Sequence, residues 1–309
     1  MRRLLTPVLA QLIALPALTG CAAFTEDSTG GGAGADAVEV VAAFYPLQYA
    51  AERVLGSPVE SLTSPGGEPH DLELGVGETA LLTDADLVVV LSGFQPAVDA
   101  SLEQNANGDV LDAADAVDLQ PFAEHDHEAT DEHDHAKDEN DPHFWLDPLR
   151  MADLGDALAT RLGELHPTEA DVYAANAADL REDLEVLDTA YVEGLASCEV
   201  DAVVTNHDAF GYLEKYGLHL ESIAGISPDA EPTPAALADL QDAIAEEGIT
   251  TVFYESLVSP DTAETLARDA GLDTAVLDTV EGLTDATAGE DYLSLMRANL
   301  DALREANRC

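Results

Sequence analysis

Basic residues are scarce: 12 Lys and Arg stand against 62 Asp and Glu in 309 residues, a formal charge of −50. A surface of that sign repels phosphate backbones and anionic headgroups. It excludes nucleic acid as a partner and any face that docks on anionic lipid. It would instead concentrate cations near the protein, an effect that salt screens, and it equally suits solubility in a salty medium. After the first twenty residues no apolar run is long enough to span a bilayer. Two catalytic signatures are missing, the His-Glu-x-x-His helix and the Gly-x-Ser-x-Gly elbow. Tryptophan occurs once, at position 145, and cysteine three times. The apolar content of 46% still allows an ordinary core, and the length suits one large or two medium domains.

The chain begins with Arg2 and Arg3, then a mostly apolar stretch over 4–18, then Leu18-Thr19-Gly20-Cys21. That stretch is too short for a stable span and reads as a secretory signal over 1–20. Its end resembles a bacterial lipobox, with Cys21 the lipidated residue of the mature chain. Residues 21–37, rich in Gly, Ser and Thr, are expected to be a flexible tether. Outside the cytoplasm the two remaining cysteines, Cys198 and Cys309, suggest a disulfide.

Residues 120–141 form an acidic, His-rich segment. His125 and His127 make one His-x-His pair, His133 and His135 another. Neutral imidazoles ligate zinc, and neighbouring carboxylates attract a dication. A segment with so few apolar residues cannot bury surface to offset its ordering entropy, so a mobile metal-collecting loop is expected. His143 differs: it lies in Asp141-Pro142-His143-Phe144-Trp145-Leu146-Asp147-Pro148, between a proline and a bulky aromatic pair.

The rest reads as α/β. Apolar strands at 38–44, 59–63 and 87–92 alternate with helices at 45–55, 78–83 and 96–105. Strands at 202–205, 218–223, 250–254 and 274–277 alternate with helices at 209–216, 233–247, 260–271 and 291–307. Such alternation implies parallel sheets, whose ligands sit at the carboxyl ends of strands. Between the halves there is no strand signal, and residues 168–196 read as one amphipathic helix of roughly 40 Å. The expected fold is therefore two lobes, 38–147 and 198–309. Each is a mainly parallel sheet flanked by helices, and a helical linker at 148–197 containing a long rigid helix joins them.

Three side chains fall at loop tips after strands, and a fourth joins them. His70 follows the strand at 59–63, His207 the strand at 202–205, Asp278 the strand at 274–277, and His143 sits in its rigid segment. Three imidazoles and a carboxylate suit tetrahedral zinc. Glu255, at the end of the strand at 250–254, is either an alternative ligand or a partner that orients a histidine.

These motifs together resemble the zinc-specific solute-binding lipoproteins of bacterial ABC importers, the cluster A-I metal-binding family. The resemblance rests on the lipobox, Phe44-Tyr45-Pro46-Leu47, Pro69-His70-Asp71, the His-rich loop, the segment around His143, and Asn206-His207-Asp208-Ala209-Phe210-Gly211-Tyr212. It implies that His70, His143 and His207 ligate Zn2+ between two lobes, with Asp278 able to be the fourth ligand. Manganese-binding relatives tend to carry a carboxylate where this chain has His207. The implied partners are the transported zinc ion, a permease with its ATPase, and the membrane through a lipid anchor. The chain is expected to be an extracytoplasmic monomer and not an enzyme. Leu72-Glu73-Leu74-Gly75 departs from the family, where an aromatic and a Glu-Pro pair are common. The alternatives are a secreted zinc hydrolase, a zinc-scavenging surface protein or adhesin, and a manganese-specific relative.

Overall fold

The computed structural model describes residues 38–122, 140–225, 228 and 234–309. The expected signal and tether, Cys21, and His125, His127, His133 and His135 lie outside the described residues. Among the described residues no helix is long and apolar enough to cross a membrane.

The first half contains β1 (Val40–Ala42), α1 (Tyr45–Leu55), β2 (Glu60–Ser61), α2 (Val76–Asp84), β3 (Leu87–Val90), α3 (Pro96–Asn105), β4 (Asp109–Asp112) and α4 (Ala113–Ala116). Two long helices come next, α5 (Pro148–Leu165) and α6 (Ala170–Leu195). The second half contains β5 (Ala202–Thr205), β6 (His219–Ser222), α7 (Pro234–Glu247), β7 (Thr251–Tyr254), α8 (Asp261–Ala270), β8 (Asp273–Val276) and α9 (Tyr292–Ala306). Among the described residues every strand pairing is parallel, with orders β2-β1-β3-β4 and β6-β5-β7-β8. The two sheets thus repeat one winding. In each, the order reverses next to the first strand, at β1/β3 and at β5/β7, and such reversals open a crevice at the strand ends.

The two sheets and the long helix were expected. Strand β4 and helix α4 were not. Val110 is exposed and Leu111 buried, so this edge strand carries too little apolar sequence to announce itself. The helix expected at 209–216 is a 3-10 turn, Gly211–Tyr216, ended by Gly217 at φ 88°. Glycine reaches that left-handed conformation at little steric cost.

Among the described residues there are a main apolar cluster and a smaller one. The main cluster runs from the first sheet through Leu158, Leu180 and Tyr191 to Tyr292 and Met296. The second lies on the other face of the second sheet, where Val204 and Val252 meet Ile244 of α7 and Leu266 of α8. Val203 belongs to the first cluster and its neighbours Ala202 and Val204 to the second. This alternation is what a strand covered on both faces requires. Helix α6 buries Tyr173, Leu180, Leu184, Leu187 and Tyr191, and the Tyr191 hydroxyl donates to the Met296 carbonyl of α9 at 2.7 Å. Cys198 and Cys309 form the expected disulfide across 111 residues. In the chain-entropy picture a loop of that size adds about 4–5 kcal/mol.

Candidate metal centre

The segment carrying His143 is built from its own sequence. The Asp141 carboxylate accepts the His143 backbone N–H at 2.9 Å and faces its Nδ1 at 2.8 Å. Phe144–Leu146 make one 3-10 turn. Asp147 then caps α5 by accepting from the Leu149 N–H at 2.9 Å, with Pro148 in the first helical turn. Asp147 also accepts from Lys215 at 2.6 Å, which ties this segment to the turn that comes after His207. The Tyr212 hydroxyl donates to the Asp141 carbonyl at 2.7 Å. A Cβ on Gly211 would meet the Asp141 carboxylate at 2.9 Å, so the absence of a side chain there admits Asp141.

His207 leaves the carboxyl end of β5 and Glu255 the end of β7, on either side of the point where strand order reverses. The His207 Nδ1 lies 2.5 Å from the Glu255 carboxylate. Such a carboxylate–imidazole pairing, like Asp141 with His143, favours the tautomer with its proton on Nδ1, which turns an Nε2 lone pair toward a cation. That contact places the Glu255 carboxylate behind the His207 ring.

His70 comes after β2. Ser64-Pro65-Gly66-Gly67 forms a type II turn, with Gly66 at φ 77° and the Gly67 N–H donating to the Ser64 carbonyl at 2.9 Å. Glu68 accepts the His70 backbone N–H at 3.1 Å, and Gln95 donates to the Pro69 carbonyl at 3.1 Å. The Phe94 ring meets His70 edge-on at 4.6 Å. Aromatics, only 5% of the chain, are concentrated here: Trp145 lies 5.0 Å from Phe44, 5.4 Å from Phe94 and 5.3 Å from His143, centroid to centroid.

The three histidines converge with Glu281. One ligand atom from each of His70, His143, His207 and Glu281 lies within 4.8 Å of the others. Glu281 Oε1 is 3.6 Å from His70 Nε2 and 3.7 Å from His143 Nε2. Zinc–ligand bonds of about 2.0–2.2 Å at tetrahedral angles separate ligands by about 3.4 Å. Those two contacts therefore need to close by only a few tenths of an ångström. His143 Nε2, His207 Nε2 and both Glu281 oxygens are buried without a hydrogen-bond partner. Each such orphan costs about 1–3 kcal/mol, so four beside one another mark a place where a cation would satisfy them.

Asp278, expected as the fourth ligand, stands outside this group. Both its oxygens are taken up elsewhere: Oδ2 accepts from Ser256, in the loop after β7, at 2.6 Å, and Oδ1 from the Val280 N–H of its own turn at 2.7 Å. Glu281, three residues on, is the carboxylate that groups with the three histidines. Sequence position alone could not separate two carboxylates in one loop. The available signal was a lone acid in an apolar stretch, Val280-Glu281-Gly282-Leu283.

The charges are tuned by burial. Burial holds His143 well below its ordinary pKa, helped by the charges of His207 and His70, so it is neutral. Burial would also lower His207, but the hydrogen bond and charge of Glu255 outweigh it and raise the group. Burial pushes Glu281 well above the carboxylate range and Asp141 up to about 7.

The fold and this site together define a two-sheet α/β protein in which buried His143, His207 and Glu281 meet half-buried His70, all metal-ligating types. A family model described as "Zinc-uptake complex component A periplasmic" matches residues 40–306. The chain belongs to that family. It is 36% identical over 287 residues to the zinc-binding lipoprotein AdcA of Streptococcus pneumoniae, covering 87% of this chain and 55% of that protein. The chain thus spans about half the length of that relative. It is 33% identical over 284 residues to the high-affinity zinc uptake system protein ZnuA of Bacillus subtilis, covering 88% of each. The crystal structure of the Zn(II)-bound ZnuA-like domain of Streptococcus pneumoniae AdcA matches at a TM-score of 0.73 with 33% identity, over 88% of this chain and 99% of that one.

Proposed function

We propose that this chain captures Zn2+ outside the cytoplasm and passes it to the permease of an ABC importer. His70, His143, His207 and Glu281 are the ligands. The observation that carries the reading is the orphaned set of donors, two imidazole nitrogens and a carboxylate buried with nothing to bond but an ion. Three nitrogen donors and one oxygen suit zinc better than manganese, which favours oxygen-rich sets. Four protein ligands leave no open position for a catalytic water, which favours capture over hydrolysis.

In this reading residues 38–147 and 198–309 are the two metal-binding lobes of a monomer and 148–197 their connection. Residues 1–20 direct export, residues 21–37 tether the body, and Cys21 carries the lipid. Cys21→Ser should release the protein from the membrane fraction, and retention there would contradict the anchor. Zinc titration against a chelating dye should give one tight equivalent, lost in His143→Ala and His207→Ala. Unchanged binding in both variants would overturn the site.

A further inference from the structure

Asp278 is a buried carboxylate in the loop of the proposed site, yet it touches none of the three histidines' ligating atoms. Its backbone is clamped on both sides by one side chain. Asn299 accepts the Asp278 N–H at 2.8 Å and donates to the Asp278 carbonyl at 2.7 Å. Its carboxylate folds forward onto the Val280 N–H. Between them, the Thr279 carbonyl is taken by the Trp145 indole N–H at 2.7 Å. Inside this frame Val280 sits at φ 58°, left-handed and fully buried. A β-branched residue adopts that conformation only where its surroundings over-determine it, and such residues cluster at ligand clamps. Glu281 comes directly after this strained residue, with both its oxygens buried and unbonded.

We propose that Asp278 is a positioning residue that works through Glu281: its carboxylate locks the left-handed turn at Val280, and the turn delivers the Glu281 carboxylate to the three histidines. The inference rests on the reading of those residues as the zinc site. Without the Asp278 oxygen on the Val280 N–H, the turn relaxes toward negative φ and Glu281 swings away from the imidazoles. Zinc then keeps three nitrogens and takes water as its fourth partner.

The test is a double-mutant cycle on zinc affinity, measured by chelator competition, with Co2+ absorption as a reporter of coordination and thermal unfolding of the metal-free proteins alongside. Asp278→Ala should weaken zinc about 10–100-fold, the usual range for a partner behind a ligand. Asp278→Asn keeps an oxygen for the Val280 N–H and should stay within about threefold of wild type. In a Glu281→Gln background, Asp278→Ala should cause no further loss, because the residue it positions is already disabled. The Co2+ spectrum of Asp278→Asn should match wild type, and that of Asp278→Ala should match Glu281→Gln.

Equal losses in Asp278→Asn and Asp278→Ala, or additive losses in the Glu281→Gln background, make Asp278 a ligand in its own right and overturn the proposal. No loss in Asp278→Ala overturns it too. If Asp278→Ala fails to fold, the Asp278→Asn affinity and Co2+ spectrum decide alone. Wild-type protein that binds no zinc overturns the functional reading and this proposal together; every other failure is specific to Asp278.

Discussion

The indole N–H of Trp145 donates to the Thr279 carbonyl at 2.7 Å, and each residue lies two positions from a proposed ligand, His143 and Glu281. One buried hydrogen bond thus fastens the segment before the linking helices to the loop that leaves the second sheet. The Tyr292 hydroxyl completes the strut from α9, donating to the Trp145 carbonyl at 2.5 Å.

Trp145→Phe keeps much of the ring packing and removes only the donor. The Thr279 carbonyl is left buried and unpaired, so the metal-free protein should lose about 1–3 kcal/mol in urea unfolding. Zinc affinity should fall as well, because the Glu281 turn loses one of its three restraints. A variant with unchanged stability and unchanged zinc affinity would show that the bond carries no load.

Protons should leave as zinc enters. Glu281 is raised by burial and His207 by Glu255, so near neutrality the empty site holds protons that a cation must displace. Affinity should therefore weaken steadily from about pH 7.5 to about pH 5.5. Titration enthalpies should vary with buffer ionisation heat, corresponding to about one proton or more per zinc. The stability sign agrees. A carboxyl raised in the folded state favours folding below its unfolded pKa, and that contribution fades as pH rises toward the folded value. The metal-free fold should thus lose stability over this window, and zinc should restore it. Enthalpies independent of buffer and an affinity flat with pH would contradict this electrostatic picture.

Much of the proposed centre was legible in the sequence, and the remainder was hidden for physical reasons. His70, His143 and His207 sit after strands or between a proline and aromatics, where short-range sequence signals are strong. The orienting place of Glu255 is one of two readings, and its 2.5 Å contact with His207 favours that one. The choice of Glu281 over Asp278 turns on Val280 being left-handed, and a β-branched residue gives no hint of that. The turn is held by the Asp278 carboxylate together with Asn299 and Trp145, the last two distant in sequence. The match of Asp141 to His143 was likewise hidden, although both residues lie in the same motif. The parallel sheets were legible from alternating apolar runs, but β4, with its exposed Val110, was not.

The His-rich segment is expected to collect zinc and not to hold it tightly. Its base is closed by a bridge between Pro121 and Asn140 and by the Asp141 N–H donating to the Gln120 carbonyl at 2.8 Å. Deleting residues 123–139, with His125, His127, His133 and His135, should therefore leave the buried site standing. The expected result is one tight zinc as in wild type, loss of weaker additional equivalents, and slower loading at low salt, where acidic steering is strongest. Loss of tight binding on deletion would make the segment a source of primary ligands.

Crystals of the zinc-loaded protein measured at the zinc absorption edge locate the ion directly. The expected result is a single strong anomalous peak about 2.0–2.2 Å from imidazole nitrogens of His70, His143 and His207 and from a Glu281 oxygen. Asp278 should remain on Ser256 and the Val280 N–H. A peak bonded to Asp278 in place of Glu281, or no peak among the three histidines, would contradict it.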